Sequence, residues 1–403
     1  MNFRILCEAC DAEAGTQAMI RRCAACGGKL TFAYDYGGAR LPAGAGGMWD
    51  YADLLPLGDP ANIVTLGEGA TPLLAARQDR GCRLFWKNEA RNPTGSQKDR
   101  ALSLAVSKAK EFKVPRVIIA STGSAGLACA AYCARAGIPC LVLVPQVTPA
   151  ERLLPMQALG ARIVEMEGTF VQIEQFLHTL ELLPTWYDAT TKRAANPFQA
   201  EAPKTIAYEI VGQLGQAPDW VIVPVGGGAT LFGIWRGFLD LQHLGCIARV
   251  PRLVAVQPAR FNTLEVALQQ GLRTQADLQT IAMDERVETI ARNLKHGVPP
   301  DGADALRAVG ESGGTALSVT DADALDWQRR LGTEEGIFCE PSSAVAGAAA
   351  AALVRDGIVR STETVVAVIT GSGLRELGAV GAVSRVPLPP DASPTELDRI
   401  LPV

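Results

Sequence analysis

Arg116-Val-Ile-Ile-Ala-Ser-Thr-Gly-Ser-Ala-Gly-Leu127 passes from strand to loop to helix, and its reading decides the fold class. The first half, residues 116–120, is a β-branched run without polar alternation, the pattern of a strand covered on both faces. Ser121-Thr-Gly-Ser-Ala-Gly126 interrupts the run, and an alanine-rich helix is expected over 127–136. The pattern recurs as a strand at 139–144, a helix near 150–158 and a strand at 161–165. It restarts at Trp220-Val-Ile-Val-Pro224, followed by a glycine loop, a helix over 231–239 and further strands at 253–256 and 365–369. Strands separated by helices are βαβ units, so the expected fold is α/β, with two largely parallel-sheet lobes and a cleft between them. Ligands of such sheets sit beyond the carboxyl ends of the strands.

The chain has 403 residues, enough for a large core divided between two lobes. Its 48% apolar and 20% charged residues are the balance of a soluble globular enzyme. A net charge of −4 leaves no basic footprint, so neither nucleic acid nor an anionic membrane is an expected partner. Met1-Asn-Phe-Arg-Ile-Leu-Cys7 lacks the apolar run of a signal peptide, and the apolar stretch 343–354 is too short to span a bilayer. A cytoplasmic location with reduced thiols is therefore expected.

Four of the ten cysteines form two pairs, Cys7-x2-Cys10 and Cys23-x2-Cys26. Each pair makes a tight knuckle offering two thiolates, and together they supply the four ligands of a tetrahedral Zn²⁺. Four protein ligands leave no open position for water, so such a zinc is structural, a staple for a segment too short to build its own core. Four free thiols in a small lobe is the plainer alternative. Cys82, Cys129, Cys133, Cys140, Cys246 and Cys339 have no ligand spacing, and most read as small core residues. A zinc-ribbon segment is expected at 1–36, a wrapping arm at 37–62, and a catalytic region at 63–403 whose smaller lobe covers roughly 101–195.

Three loops carry chemistry. In Lys87-Asn-Glu-Ala-Arg-Asn-Pro-Thr-Gly-Ser-Gln-Lys98-Asp-Arg100 a turn at Pro93 and Gly95 leads into a helix, which places Lys98 at the helix N-terminus. There the dipole favours a neutral, nucleophilic amine, the form a Schiff-base lysine needs. Gly226-Gly-Gly-Ala-Thr230 follows a strand and opens a helix, so its small residues expose backbone N–H groups suited to a phosphate. Thr370-Gly-Ser-Gly-Leu374 also follows a strand and offers a hydroxyl to a ring nitrogen. Singly, each loop is equally a surface lysine, a tight turn or a capping threonine.

In this order the loops resemble those of fold-type II pyridoxal-phosphate enzymes, and among them the threonine synthase family. Asn92-Pro-Thr-Gly-Ser-Gln-Lys98-Asp-Arg100 resembles the cofactor-lysine motif, and Ser121-Thr-Gly-Ser124-Ala-Gly126 the loop facing the cofactor's phenolic oxygen. Gly226, Gly227, Gly228, Ala229 and Thr230 resemble the phosphate cup, and Thr370 the residue at the pyridine nitrogen. Lys204-Thr-Ile-Ala-Tyr-Glu209 and Glu340-Pro-Ser-Ser-Ala344 match as well. The resemblance implies a homodimeric lyase that binds pyridoxal 5′-phosphate and converts O-phosphohomoserine and water to threonine and phosphate. It also places Lys87, Ser96 and Arg100 near the leaving phosphate.

The chain departs from that pattern. Gln97 stands where the family has phenylalanine, and Ser124 where it has asparagine. The cup lacks the family's asparagines, and Ala202-Pro203 replaces a glycine-containing pair. These positions flank the reacting centre, so the alternative is a paralogue with β-elimination or β-replacement chemistry on serine, threonine, diaminopropionate or an O-activated serine. A non-enzymatic ribbon protein on a decayed scaffold is the third reading.

Overall fold

The strands Val117–Ala120, Trp220–Pro224 and Thr364–Ile369, central in their sheets, are buried from end to end, as their unalternating runs require, while several strands at the sheet edges are partly exposed. The computed structural model describes residues 3–16, 19–37, 41, 46–168, 170–179, 185–380 and 385–386. Parts of the expected arm (38–40 and 42–45) and of the catalytic region (381–384 and 387–403) lie outside the described residues. The strands are β1 (Phe3–Cys7), β2 (Glu13–Ala14), β3 (Leu30–Tyr34), β4 (Leu73–Ala75), β5 (Arg83–Asn88), β6 (Val117–Ala120), β7 (Cys140–Pro145), β8 (Arg162–Met166), β9 (Tyr187–Asp188), β10 (Trp220–Pro224), β11 (Arg252–Pro258), β12 (Thr315–Val319) and β13 (Thr364–Ile369).

One sheet has the order β12-β11-β10-β13-β5-β4, parallel except for β4, which runs antiparallel to β5. The other has the order β8-β7-β6-β9 and is wholly parallel. Alternate residues of β10 face opposite cores. Val221 and Val223 pack with the helices Lys204–Leu214 and Ala229–His243, while Trp220 and Ile222 pack with the alanine-rich helix Pro341–Arg355. Among the described residues, no helix is long and apolar enough to cross a membrane.

Helix starts are where the sequence reading erred. The helix expected at 127–136 begins at Ser124, because Ser121 Oγ accepts the N–H groups of Gly123 (3.3 Å) and Gly126 (3.0 Å) and lets the turn begin earlier. The helix expected at 231–239 runs from Ala229 to His243.

At the front of the chain, β1 pairs antiparallel with both β2 and β3. This three-stranded unit has a small core of Phe3, Ile5, Leu30, Phe32 and Tyr34, completed by Phe198 of the catalytic region. The Phe32 and Phe198 rings lie 5.3 Å apart, so the unit docks instead of standing free.

Candidate active site

The chemistry-bearing loops all leave the carboxyl ends of parallel strands. β5 leads towards Lys98, β6 into Ser121–Ser124, β9 into Thr190 and Thr191, β10 into Gly226–Gly228 and β13 into Thr370. Two loops are joined directly: Ser96 bridges to Gly371, and Gln97 N–H donates to Thr370 O at 2.9 Å. Between buried strands and buried helices, Lys98, Ser121–Ser124, Thr191, Gly226 and Gly227 are only half-buried, which marks the cleft.

Lys98 is the first residue of the helix Lys98–Glu111. Its amine is pushed down to about 8 by burial, with the carboxylate of Asp301 pulling the other way. The depression was expected from the helix dipole, but desolvation dominates it. Lys98 Nζ donates to Thr191 Oγ1 at 3.3 Å, a neutral partner that does not hold the ammonium form.

The loop expected to hold a phosphate, Gly226–Thr230, is as bare as its sequence implies. Gly228 has φ +106° and caps the helix from Ala229 without any side-chain hydrogen bond. A Cβ there would sit 2.5 Å from Asp301 O, and one on Gly226 would sit 2.8 Å from Asn293 O. Only glycine fits both positions, and a helix N-terminus capped by no side chain suits a phosphate group. On the β13 side, the Thr370 and Ser343 hydroxyls lie 2.8 Å apart, and Ser343 Oγ accepts Gly371 N–H at 2.8 Å. The Glu340-Pro-Ser-Ser segment thus orients Thr370.

Of the three residues expected near a leaving phosphate, Lys87 and Arg100 are enclosed by protein partners and Ser96 lies beside Lys98. Lys87 is fully buried and donates to Glu209 (2.6 Å), Thr71 O (2.7 Å) and Gln213 (3.0 Å), which uses all three of its protons. Arg100 is also fully buried, held by Glu89 through Nε and Nη2 at 2.8 Å each and by Glu209 through Nη1 at 2.6 Å. Ser96 is buried, and its hydroxyl accepts the Lys98 N–H at 3.3 Å. Lys87 and Arg100 fix the floor with their donors used inside the protein, while Ser96 fixes the helix start as an acceptor.

Two residues were missed. Thr191 lies in a loop without a motif. Asn293 sits between the cofactor loops: its Oδ1 is 3.3 Å from where a Gly123 Cβ would be, and its Nδ2 donates to the buried Glu340 at 2.9 Å. No spacing in the sequence signals either. A surface groove lined by Arg80, Cys82, Trp327 and Arg330 contains none of the cleft loops.

The four ribbon cysteines converge, with Cys7–Cys26, Cys10–Cys23 and Cys10–Cys26 sulfurs 3.4, 3.7 and 3.4 Å apart and all four Sγ atoms within 4.8 Å of one another. Ligands about 2.3 Å from a tetrahedral Zn²⁺ are separated by roughly 3.8 Å, so the donor set fits that ion. A Cβ on Gly28 would lie 2.9 Å from Cys7 Sγ, which explains the glycine after the second pair. Cys129, Cys133 and Cys140 also cluster, unforeseen from their spacing, but they belong to a buried apolar core with Val117, Val142 and Leu153. We read them as core packing.

A family model described as pyridoxal-phosphate dependent enzyme matches residues 64–371. The chain belongs to that family. Similar curated proteins include the threonine synthase of Methanocaldococcus jannaschii, 34% identical over 98% of both chains. Another is the threonine synthase of Synechocystis sp., 38% identical over 81% of this chain and 82% of its own. Among solved structures, threonine deaminase isoform 2 from Solanum lycopersicum has a TM-score of 0.63 at 20% identity, covering 77% of this chain and 83% of that one. O-ureido-L-serine synthase has a TM-score of 0.62 at 22% identity, covering 81% and 95%. The last two share the fold. This pyridoxal-phosphate-dependent enzyme is accordingly a threonine-synthase-like lyase that acts on an amino-acid substrate, and the decayed-scaffold reading is set aside.

Proposed function

We propose that the enzyme converts O-phosphohomoserine and water to threonine and phosphate, with Lys98 as the cofactor-bearing residue and general base. The observation that carries this is a half-buried amine pushed down to about 8 among the cleft loops, in a chain 34% identical over 98% of its length to a threonine synthase. Lys98 would bind the cofactor's aldehyde, Gly226–Thr230 its phosphate, Ser124 the phenolic side and Thr370 the pyridine nitrogen. Bound in this way, pyridoxal 5′-phosphate supplies the electron sink. The Lys98 amine would also take the substrate's α-proton and return a proton at a later carbon, a role its depressed pKa suits. Thr370 is a neutral hydroxyl already ordered by Ser343, so it imposes no proton on the nitrogen it faces. The four-cysteine ribbon holds a structural zinc, and the working unit is a cytoplasmic homodimer.

A second reading keeps the cofactor and changes the reaction to β-elimination or β-replacement. Two observations favour it. Gln97 Oε1 is buried beside Lys98 without a partner, an acceptor ready for a substrate donor. The cations Lys87 and Arg100 are saturated inside the protein. One panel decides between the readings: O-phosphohomoserine, serine, threonine, diaminopropionate and an O-activated serine, assayed for phosphate, threonine and 2-oxo acid. Equal release of threonine and phosphate from O-phosphohomoserine, abolished in Lys98→Ala, is the expected result. A 2-oxo acid from serine or threonine, without phosphate chemistry, selects the second reading.

A further inference from the structure

The ribbon reaches the active-site loops through two side chains, Lys29 and Glu8. Lys29 lies just before β3, and its Nζ is 2.7 Å from Asp304 and 3.6 Å from Asp301. Asp301 is fully buried and tied to the phosphate cup by its backbone: its N–H donates to Gly227 O at 2.8 Å, and its carbonyl fills the space a Gly228 Cβ would need. Its carboxylate accepts the Arg193 N–H at 3.2 Å through each oxygen. Arg193 is two residues beyond Thr191, the hydrogen-bond partner of Lys98, and its guanidinium pairs with Asp304 (2.7 Å) and with Glu8 of the ribbon (2.8 Å). Six charges (Glu8, Lys29, Arg193, Asp301, Asp304 and Arg307) thus join the ribbon, the loop after β9 and the cup.

A carboxylate buried against a cup that must take a phosphate dianion repels it unless a cation compensates. Burial and the neighbouring Asp304 disfavour the Asp301 carboxylate, Lys29 and Arg193 both favour it, and of these two cations Lys29, 3.6 Å away, has the larger effect. We propose that Lys29 is a positioning residue for the active site, neutralising Asp301 from the ribbon so that the metal-holding unit sets how tightly the phosphate cup retains the cofactor. This rests on the cup and Lys98 assignments and is independent of which amino acid is the substrate.

The test is a spectral titration of the full-length, metal-replete apoprotein with pyridoxal 5′-phosphate. Borohydride labelling of Lys98 in the same samples checks the cofactor assignment separately. Lys29→Met is expected to weaken cofactor binding ~10-fold, a coupling of about 1.4 kcal/mol, with metal content unchanged and substantial rescue by Lys29→Arg. Asp301→Asn binds no more weakly than the wild type, and in that background Lys29→Met has little further effect, since the charge it served is gone. Arg4→Met, on the exposed face of the ribbon, is the control without effect. Unchanged affinity in Lys29→Met overturns the proposal, as does an equal loss with and without Asp301, which would make Lys29 merely structural. Should Lys29→Met fail to fold, Asp301→Asn alone still decides: a ~10-fold weaker cofactor in that variant contradicts the proposed repulsion.

Discussion

Lys87 and Lys98 lie eleven residues apart in one stretch of chain, yet they occupy opposite electrostatic worlds. Lys87 is fully buried with every proton given to an oxygen of the protein. Lys98 is half-buried and has one long hydrogen bond to a hydroxyl, with the Asp301 carboxylate acting on it only through its charge. Both amines are depressed by burial, but only that of Lys98 is left without a carboxylate in contact to restore the charge. Saturation marks a cation that builds the fold. Under-partnering in a cleft marks one that does chemistry.

The largest effects break the comparison at its two ends. Lys98→Ala should abolish turnover while leaving the chain folded, read by product release and by far-ultraviolet circular dichroism. Arg100→Met should do the reverse, costing ~3–5 kcal/mol because Glu89 and Glu209 are left as uncompensated buried charges. Urea denaturation of the two variants measures the contrast. A stable Arg100→Met protein that has lost only catalysis would return Arg100 to the substrate site.

That contrast was not legible in the sequence. The strand runs, their order and the three loops were, because burial on both faces leaves an unalternating β-branched signature and glycine marks close backbone approach. Lys87 and Arg100 looked available because their partner Glu209 is 122 and 109 residues away, and only the fold brings it beneath them. Thr191 and Asn293 carry no motif, since their roles come from which loop ends meet. The ribbon's ligand spacing was visible, but its reach to Asp301 through Lys29 spans the whole chain and leaves no local trace.

A smaller effect sharpens the cleft side. Gly228→Ala puts a Cβ 2.5 Å from Asp301 O at a backbone φ of +106°, where side chains are strained. Such strain costs ~1–3 kcal/mol. The helix from Ala229 can relieve it by shifting the cup, so the loss should appear in cofactor affinity more than in urea stability. If equilibrium titration of the apoprotein shows no weakening, the cup does not hold the phosphate.

The subtlest prediction concerns pH. With its amine near 8 instead of the ordinary 10.5, Lys98 is about one-tenth neutral at pH 7, against well under one part in a thousand for an unperturbed lysine. Stopped-flow loading of the apoprotein should accelerate with pH below about 8 and level off above it. Asp301→Asn should move that midpoint lower, since it removes an anion that favours the ammonium form. The same shift has a stability sign. The folded pKa lies below the unfolded one, so the cost of burying the ammonium is fully present below pH 8 and fades as pH rises towards 10.5. Replacing Lys98 by alanine should therefore stabilise the apoprotein most at low pH, with the advantage shrinking through that window. An advantage that grows with pH would mean that the fold favours the Lys98 ammonium over the neutral amine, and Lys98 would then not be the under-partnered amine of the comparison.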